Sequence, residues 1–259
     1  MKDVLRSAAM AFQMFSVVPM PRVEWKKENM RYMLCCLPLV GVVIMAALWL
    51  WERLCGVLGF GSVLYAAGLT LLPALLSGGI HLDGFCDTAD ALSSHAAPER
   101  KREILKDSHT GAFAILYTAG WTLAFFALCT ETVRTWQGAL FLGGLQIVSR
   151  ALGAFASVTL PGSGQTGLLA TFRSAAEKKA AWILGVWLVI CAAGLCALSL
   201  PGGIAAALLA AACFFGLRRM AAREFGGMSG DLAGYLITLS QLVMLAGYVF
   251  AERMAQIWF

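Results

Sequence analysis

Three aspartates, Asp83, Asp87 and Asp90, follow one another at spacings of four and three directly after a long apolar segment. On a helix turning about 100° per residue they share one narrow stripe. Three carboxylates on one stripe repel each other unless a cation sits among them. A divalent ion carrying a phosphate or diphosphate answers that need, because hard oxygen ligands suit Mg²⁺ or Mn²⁺, and Mg²⁺ commonly takes one or two carboxylates plus substrate oxygens. The plainer reading is a solvated acidic helix start, where Asp is common. Its place at the end of a membrane-length apolar run favours the metal. His81 stands just ahead of the stripe, where it could orient Asp83, touch substrate or simply pack.

Cations and glycine-rich turns accompany the stripe. Arg100, Lys101, Arg102 and Lys106 follow within the stretch Gly78 to Gly111. Lys106-Asp107-Ser108-His109-Thr110-Gly111, Pro161-Gly162-Ser163-Gly164-Gln165-Thr166-Gly167 and Gly226-Gly227-Met228-Ser229-Gly230-Asp231 are rich in small and hydroxyl residues. Such segments serve as turns, and their backbone amides can also face an anion; Asp231 in the last can cap a helix. Together these groups suit phosphate transfer: the metal neutralises diphosphate, cations and amides hold charge on a leaving phosphate, and a spare carboxylate takes a proton. Arg150 lies inside an apolar run, so it should face this site or a carboxylate rather than lipid, unless it snorkels to the interface.

The elements that position these groups are read from composition. Of the 259 residues 59% are hydrophobic and only 14% charged, and mean hydropathy is +0.75, against about 25% charged in an ordinary soluble domain. An all-α, polytopic transmembrane helical bundle follows, one membrane domain over residues 1–259. The net charge of +5 comes from basic residues dispersed among loops, so it speaks for membrane orientation and against nucleic-acid binding. None of the eight cysteines forms a Cys-x-x-Cys pair, and they read as small buried apolar residues. A zinc set of His81, Cys86, His95 and His109 has no ligand-like spacing.

Seven stretches can span a bilayer: 32–51, 59–80, 112–130, 137–158, 180–200, 202–217 (the shortest) and 232–251. Residues 1–31 read as an interfacial or re-entrant segment rather than a removable signal peptide. This division puts sixteen of the twenty Lys and Arg on one side and three, Arg53, Arg134 and Arg253, on the other, with Arg150 inside a span. The positive-inside rule then predicts a cytoplasmic N-terminus, an external C-terminus and a cytoplasmic aspartate stretch at 78–111, in a multi-pass protein of the cytoplasmic (inner) membrane. Membrane lipid is a partner on this reading, and self-association of the spans stays open.

Gly78-Gly79-Ile80-His81-Leu82-Asp83-Gly84-Phe85-Cys86-Asp87-Thr88-Ala89-Asp90 resembles the signature of the cobalamin synthases, adenosylcobinamide-GDP ribazoletransferases, Gly-Gly-x-His-x-Asp-Gly-x-x-Asp-Thr-x-Asp. Lys106 to Phe113 and Gly226 to Asp231 resemble the second and third blocks of that family, and similarity runs from Phe15 and Pro19-Met20-Pro21 to the last span. The chain departs from the pattern at His109, where Arg is usual, at Val17, where Arg commonly precedes the prolines, and at Thr238 and Gln241, where Glu is frequent. The resemblance implies the final step of cobalamin assembly: a hydroxyl of α-ribazole or its 5′-phosphate attacks the cobinamide-side phosphorus of adenosylcobinamide-GDP and expels GMP with Mg²⁺ assistance. On this view Asp83 and Asp87 hold metal, Asp90 is a third ligand or the base, and Asp107 and Asp231 are further ligand or base candidates. Lys106 and Arg150 stabilise phosphate charge, His81 assists, and Gly84, His109 and Gly230 meet substrate.

Competing readings are a CDP-alcohol phosphotransferase, a prenyl-diphosphate transferase, and a membrane transporter of a phosphorylated solute. The first expects Asp-Gly-x-x-Ala-Arg where Asp83-Gly84-Phe85-Cys86-Asp87 stands, and the second Asp-rich motifs on two helices. The third expects charge at mid-membrane in several spans, and only Arg150 approaches that.

Overall fold

The computed structural model describes residues 2–107, 109–164 and 167–258. Ser108, Gln165 and Thr166, placed by the sequence in two of the polar turns, lie outside the described residues. In chain order the helices are α1 (Lys2–Phe15), α2 (Lys27–Met30), α3 (Met33–Leu58), α4 (Ser62–Leu76), α5 (Ile80–Ser93) and α6 (Pro98–Ile104). Then come α7 (Ala112–Thr130), α8 (Trp136–Thr159), α9 (Leu168–Ala175), α10 (Ala180–Leu198), α11 (Leu200–Met220), a π-turn (Ala221–Phe225) and α12 (Gly230–Trp258). Six helices among the described residues are long and apolar enough to cross a membrane, or seven when α4 and α5 count as one broken span. This is the expected all-α, multi-pass membrane architecture.

The middle of the bundle is α8, 83% of whose apolar window is buried, against 11% for α10. α3, α10 and α12 pack around it. The outward faces of α7, α10 and α11 carry exposed Leu, Ile, Val and Phe, as a lipid-facing surface requires. α1 lies along α3 with Met10, Ala11 and Phe12 buried. It is tied down by Ser7, whose hydroxyl donates to the Asn29 carbonyl at 2.7 Å and accepts from the Tyr32 amide at 3.2 Å.

Two spans differ from the sequence reading. The stretch 59–80 does not run straight into the aspartate stripe, because α4 stops at Leu76 and α5 leaves at 91°. Gly78 and Gly79 both take left-handed backbone, φ 64° and 75°. The Gly79 amide donates to Ala74 O at 2.9 Å and the Gly78 amide to Leu75 O at 3.1 Å, the paired bonds that close a helix through a C-terminal glycine. Leu76 O accepts from Val17 N at 2.9 Å, so the N-terminal segment satisfies the last carbonyl of the break. The other difference is length: α11 and its π-turn run from Leu200 to Phe225, past the short span expected at 202–217. Arg218 and Arg219 continue the helix, as cations near a helix C-terminus readily do.

Candidate active site

Asp83, Asp87 and Asp90 lie on α5 as their spacing predicts, Asp83 exposed and the other two half-buried. A fourth carboxylate reaches them from α12. A Cβ on Gly84 would lie 2.8 Å from the carbonyl oxygen of Asp231 and 3.0 Å from its Cα, so glycine is what lets these backbones touch. Phe85 stacks on Tyr235 beside that crossing, ring centroids 5.4 Å apart. Asp83, Asp90 and Asp231 all fall within electrostatic range of Asp87, and Asp83 within range of Asp231.

The start of α12 is built to hold Asp231 there. Ser229 Oγ accepts from the Leu232 amide at 3.2 Å, so capping falls to Ser229 rather than to Asp231. The turn before it is braced from α6: buried Lys101 pairs with Glu224, and Arg102 donates to Phe225 O at 3.2 Å. Arg100 pairs with Glu103 at 2.7 Å. Three of the four cations near the stripe are thus engaged with protein, while Lys106 is exposed.

The remaining sequence candidates have distinct surroundings. Asp90 turns to the next helix: its Oδ1 accepts from the Ala114 amide at 3.4 Å, and its carboxylate fills the space beside Gly111, so it serves the otherwise uncapped start of α7. Asp107 and His109 sit exposed in the loop before α7, where Asp107 Oδ1 accepts from the His109 amide at 3.0 Å and lies 2.7 Å from its Nδ1. These bonds hold the Asp107 carboxyl below the usual carboxylate range. His81 is buried, stacks on Phe15 at 5.9 Å, and accepts from Thr238 Oγ1 at its carbonyl, 3.0 Å away. Gly230 opens α12 with empty space beside it.

Arg150 is turned from lipid as expected, but inward: it is 1% exposed and its Nη1 donates to the carbonyl and the side-chain oxygen of Gln146, both at 3.0 Å. No carboxylate pairs with it among the described residues. It shares a cavity of about 20 Å³ with His81, Thr238 and Gln241, room for roughly one water.

Two larger cavities open beside the acidic corner. One, of about 150 Å³, is mainly apolar and has Asp83, His81 and Asp231 in its wall with Phe15 and Phe172. The other, of about 720 Å³, shares Gly230 and Asp231 with it and carries Arg173, one of the sixteen Lys and Arg that the span division puts on one side. Nothing in the pattern around Arg173 marks it; it reaches the site because α9 folds back beside the α12 turn.

A divalent ion fits the corner by donor chemistry. The carboxylates are hard oxygen donors, and among the described residues no three His, Cys, Asp or Glu side chains close into a cage. Mg²⁺ needs no such cage, because it keeps waters and takes substrate oxygens, whereas structural zinc does need one.

The cobalamin-5-phosphate synthase family model matches residues 7–249. Among similar proteins, the adenosylcobinamide-GDP ribazoletransferase of Lachnoclostridium phytofermentans is 39% identical over 249 residues, 96% of this chain and 95% of its own. The proteins of that name from Clostridium botulinum strain Alaska E43 and Geobacillus thermodenitrificans are 31% and 30% identical, covering 95% and 92% of this chain and 97% and 92% of theirs. No solved structure matches the chain.

Proposed function

This chain belongs to the cobalamin-5-phosphate synthase family, and on that premise we propose that it is an adenosylcobinamide-GDP ribazoletransferase. It joins GDP-activated adenosylcobinamide to α-ribazole or α-ribazole 5′-phosphate and releases GMP. The observation that carries this is the contact of Gly84 with the Asp231 backbone, which sets a third carboxylate against Asp83 and Asp87 where two cavities meet.

Asp83 and Asp87, one turn apart on α5, would hold Mg²⁺, with Mn²⁺ as a substitute. Bound there, the ion supplies charge neutralisation to the diphosphate and to the phosphate that leaves. Asp231, relieved of capping by Ser229 and facing both cavities, takes the proton of the attacking hydroxyl. The new O–P bond forms on the cobinamide-side phosphorus as the bond to the GMP oxygen breaks. Asp90 and the α6 cations position this machinery: Asp90 fixes α7 against α5, and Lys101 and Arg102 fix the turn that presents Asp231. Exposed Lys106 meets phosphate charge, whereas sealed Arg150 meets none. The Lys and Arg asymmetry supports a corner that faces the cytoplasm from the inner membrane.

Membranes bearing the protein, given adenosylcobinamide-GDP and α-ribazole 5′-phosphate, should release GMP. Chelation by EDTA should stop the release and Mg²⁺ restore it. Absence of GMP release from correctly inserted protein with Mg²⁺ present would overturn the proposal.

A further inference from the structure

The cavity of about 720 Å³ has a polar wall that the roles above leave unused. Two glycine-rich loops form one side and are pinned together: the Ser163 amide donates to Met228 O at 3.0 Å and the Met228 amide to Pro161 O at 2.7 Å. They can approach this closely because Gly227, at φ 145°, has no side chain; a Cβ there would lie 2.5 Å from the Gly162 carbonyl carbon. Arg173 of α9 forms the facing side. Its Nη1 is sealed from solvent without a hydrogen-bond partner among the described residues, and it lies 3.0 Å from where a Gly162 Cβ would stand. The side chain as a whole is half-buried and lines the cavity, and an unpaired buried N–H costs free energy, so a turn of the guanidinium toward a ligand acceptor in the cavity would be stabilising.

The rest of the wall points the same way. α9 starts at this cavity, with Leu168, Leu169 and Ala170 in its lining and no side-chain cap at Gly167. The amides of a first helical turn lack intrahelical acceptors and carry the positive end of the helix dipole. Asp231 stands in the same wall. The cavity therefore joins an anion-binding side, Arg173 with the start of α9, to the carboxylate assigned above to the reacting hydroxyl. A molecule that carries both a phosphate and a sugar hydroxyl matches that polarity.

We propose that this cavity binds the phosphate of a nucleoside monophosphate unit, with Arg173 as its principal contact. The assignment rests on the transferase function proposed above, which offers two such units: the 5′-phosphate of the acceptor nucleotide, and the guanylate that leaves.

Equilibrium dialysis of the detergent-solubilised full chain tests this without turnover, using α-ribazole 5′-phosphate, unphosphorylated α-ribazole and GMP as probes. Arg173→Ala should weaken α-ribazole 5′-phosphate or GMP by about tenfold or more, the scale of a lost hydrogen bond to a charged group. Binding of α-ribazole should change less than about twofold, which also reports that the variant is folded. Arg173→Lys should recover part of the loss. Gly162→Ala, which keeps the arginine but crowds its Nη1, should weaken the same nucleotide. Loss confined to α-ribazole 5′-phosphate assigns the acceptor as the source, and loss confined to GMP assigns the leaving nucleotide. Equal binding of both phosphates by wild type and Arg173→Ala overturns the inference, as does a parallel loss of α-ribazole or a wild type that binds neither phosphate. Failure of the transferase function appears separately, as absent GMP release by wild-type protein.

Discussion

The chain places charge inside an apolar bundle in two ways. At the α5–α12 corner, carboxylates of like sign are pressed together and at least one is exposed; at the centre of α8, a single arginine is sealed and hydrogen-bonded to its own helix. Both are costly to place near lipid. Among the described residues no Lys or Arg pairs with the corner, which is open to cavities and stands on backbones that touch through glycine. The arginine is hydrogen-bonded to Gln146 and shares a space of about 20 Å³ with Thr238, Gln241 and His81. Like charges crowded together where a ligand can enter mark a binding site, whereas a lone charge bonded through Nη1 to its own helix, with its Nε unpaired among the described residues in a space of about 20 Å³, marks internal structure.

The sharpest way to break this contrast is to remove charge from the corner. Asp83→Asn and Asp87→Asn keep side-chain volume but lose the electrostatic grip on the ion. GMP release should fall by at least about 10²-fold, the order seen when a major electrostatic contact to the transition state is lost. Membrane insertion and yield should hold. Full activity in normally inserted variants would return the stripe to a solvated acidic helix.

Gly84→Ala alters the backbone contact rather than the charge. Its methyl would sit 2.8 Å from the Asp231 carbonyl oxygen, so α12 must move away and carry Asp231 with it. Displacement of about 1 Å can cost on the order of 10²-fold, and a smaller slide here should cost about tenfold in turnover. Affinity for Mg²⁺ should weaken alongside. Wild-type turnover would show that the crossing does not set the catalytic geometry.

Arg150→Met tests the sealed side. It removes a buried cation but retains an unbranched apolar chain, relieving desolvation while leaving Gln146 Oε1 without its donor. Thermal stability should shift by no more than about 2 kcal/mol in either direction, and turnover should stay within about threefold. A loss matching that of Asp83→Asn would show that Arg150 acts on substrate charge after all.

How far these two regions could be read from the sequence differs with the kind of information each needs. The stripe was legible because Asp83, Asp87 and Asp90 repeat within one helix, where spacing alone sets direction. Hydropathy likewise gave the spans, but not the bend at Ser77–Gly79, since a window average is blind to backbone handedness; the signal lay in the Gly78-Gly79 pair. Asp231 was a candidate through its turn and the family block it resembles, but its approach to Gly84 is a contact between residues 147 positions apart in the sequence. Arg173 carried no local mark at all. Asp90 and Arg150 were placed near the chemistry by residue type, but their hydrogen bonds to Ala114 and Gln146 depend on helix packing and rotamer.

The smallest effect should come from Asp107, the carboxylate that the sequence also offered as ligand or base. It is exposed in the loop before α7, and the amide and ring of His109 are committed to it. Those bonds hold its pKa below the ordinary carboxylate value, so it is a weaker base than a free aspartate, not a better one. The sign for pH follows. A depressed folded-state pKa means that the carboxylate's favourable contacts are fully present above the unfolded value of about 4 and are lost as pH falls through the lower folded value. Nothing about Asp107 then changes across the neutral range, and it should add no limb to a pH–rate profile there. A general base is worth about 10²–10⁴-fold. Asp107→Asn should therefore leave GMP release within about twofold and the neutral part of the profile in place, whereas a hundredfold loss with a displaced acidic limb would move the base from the α5–α12 corner to the loop before α7.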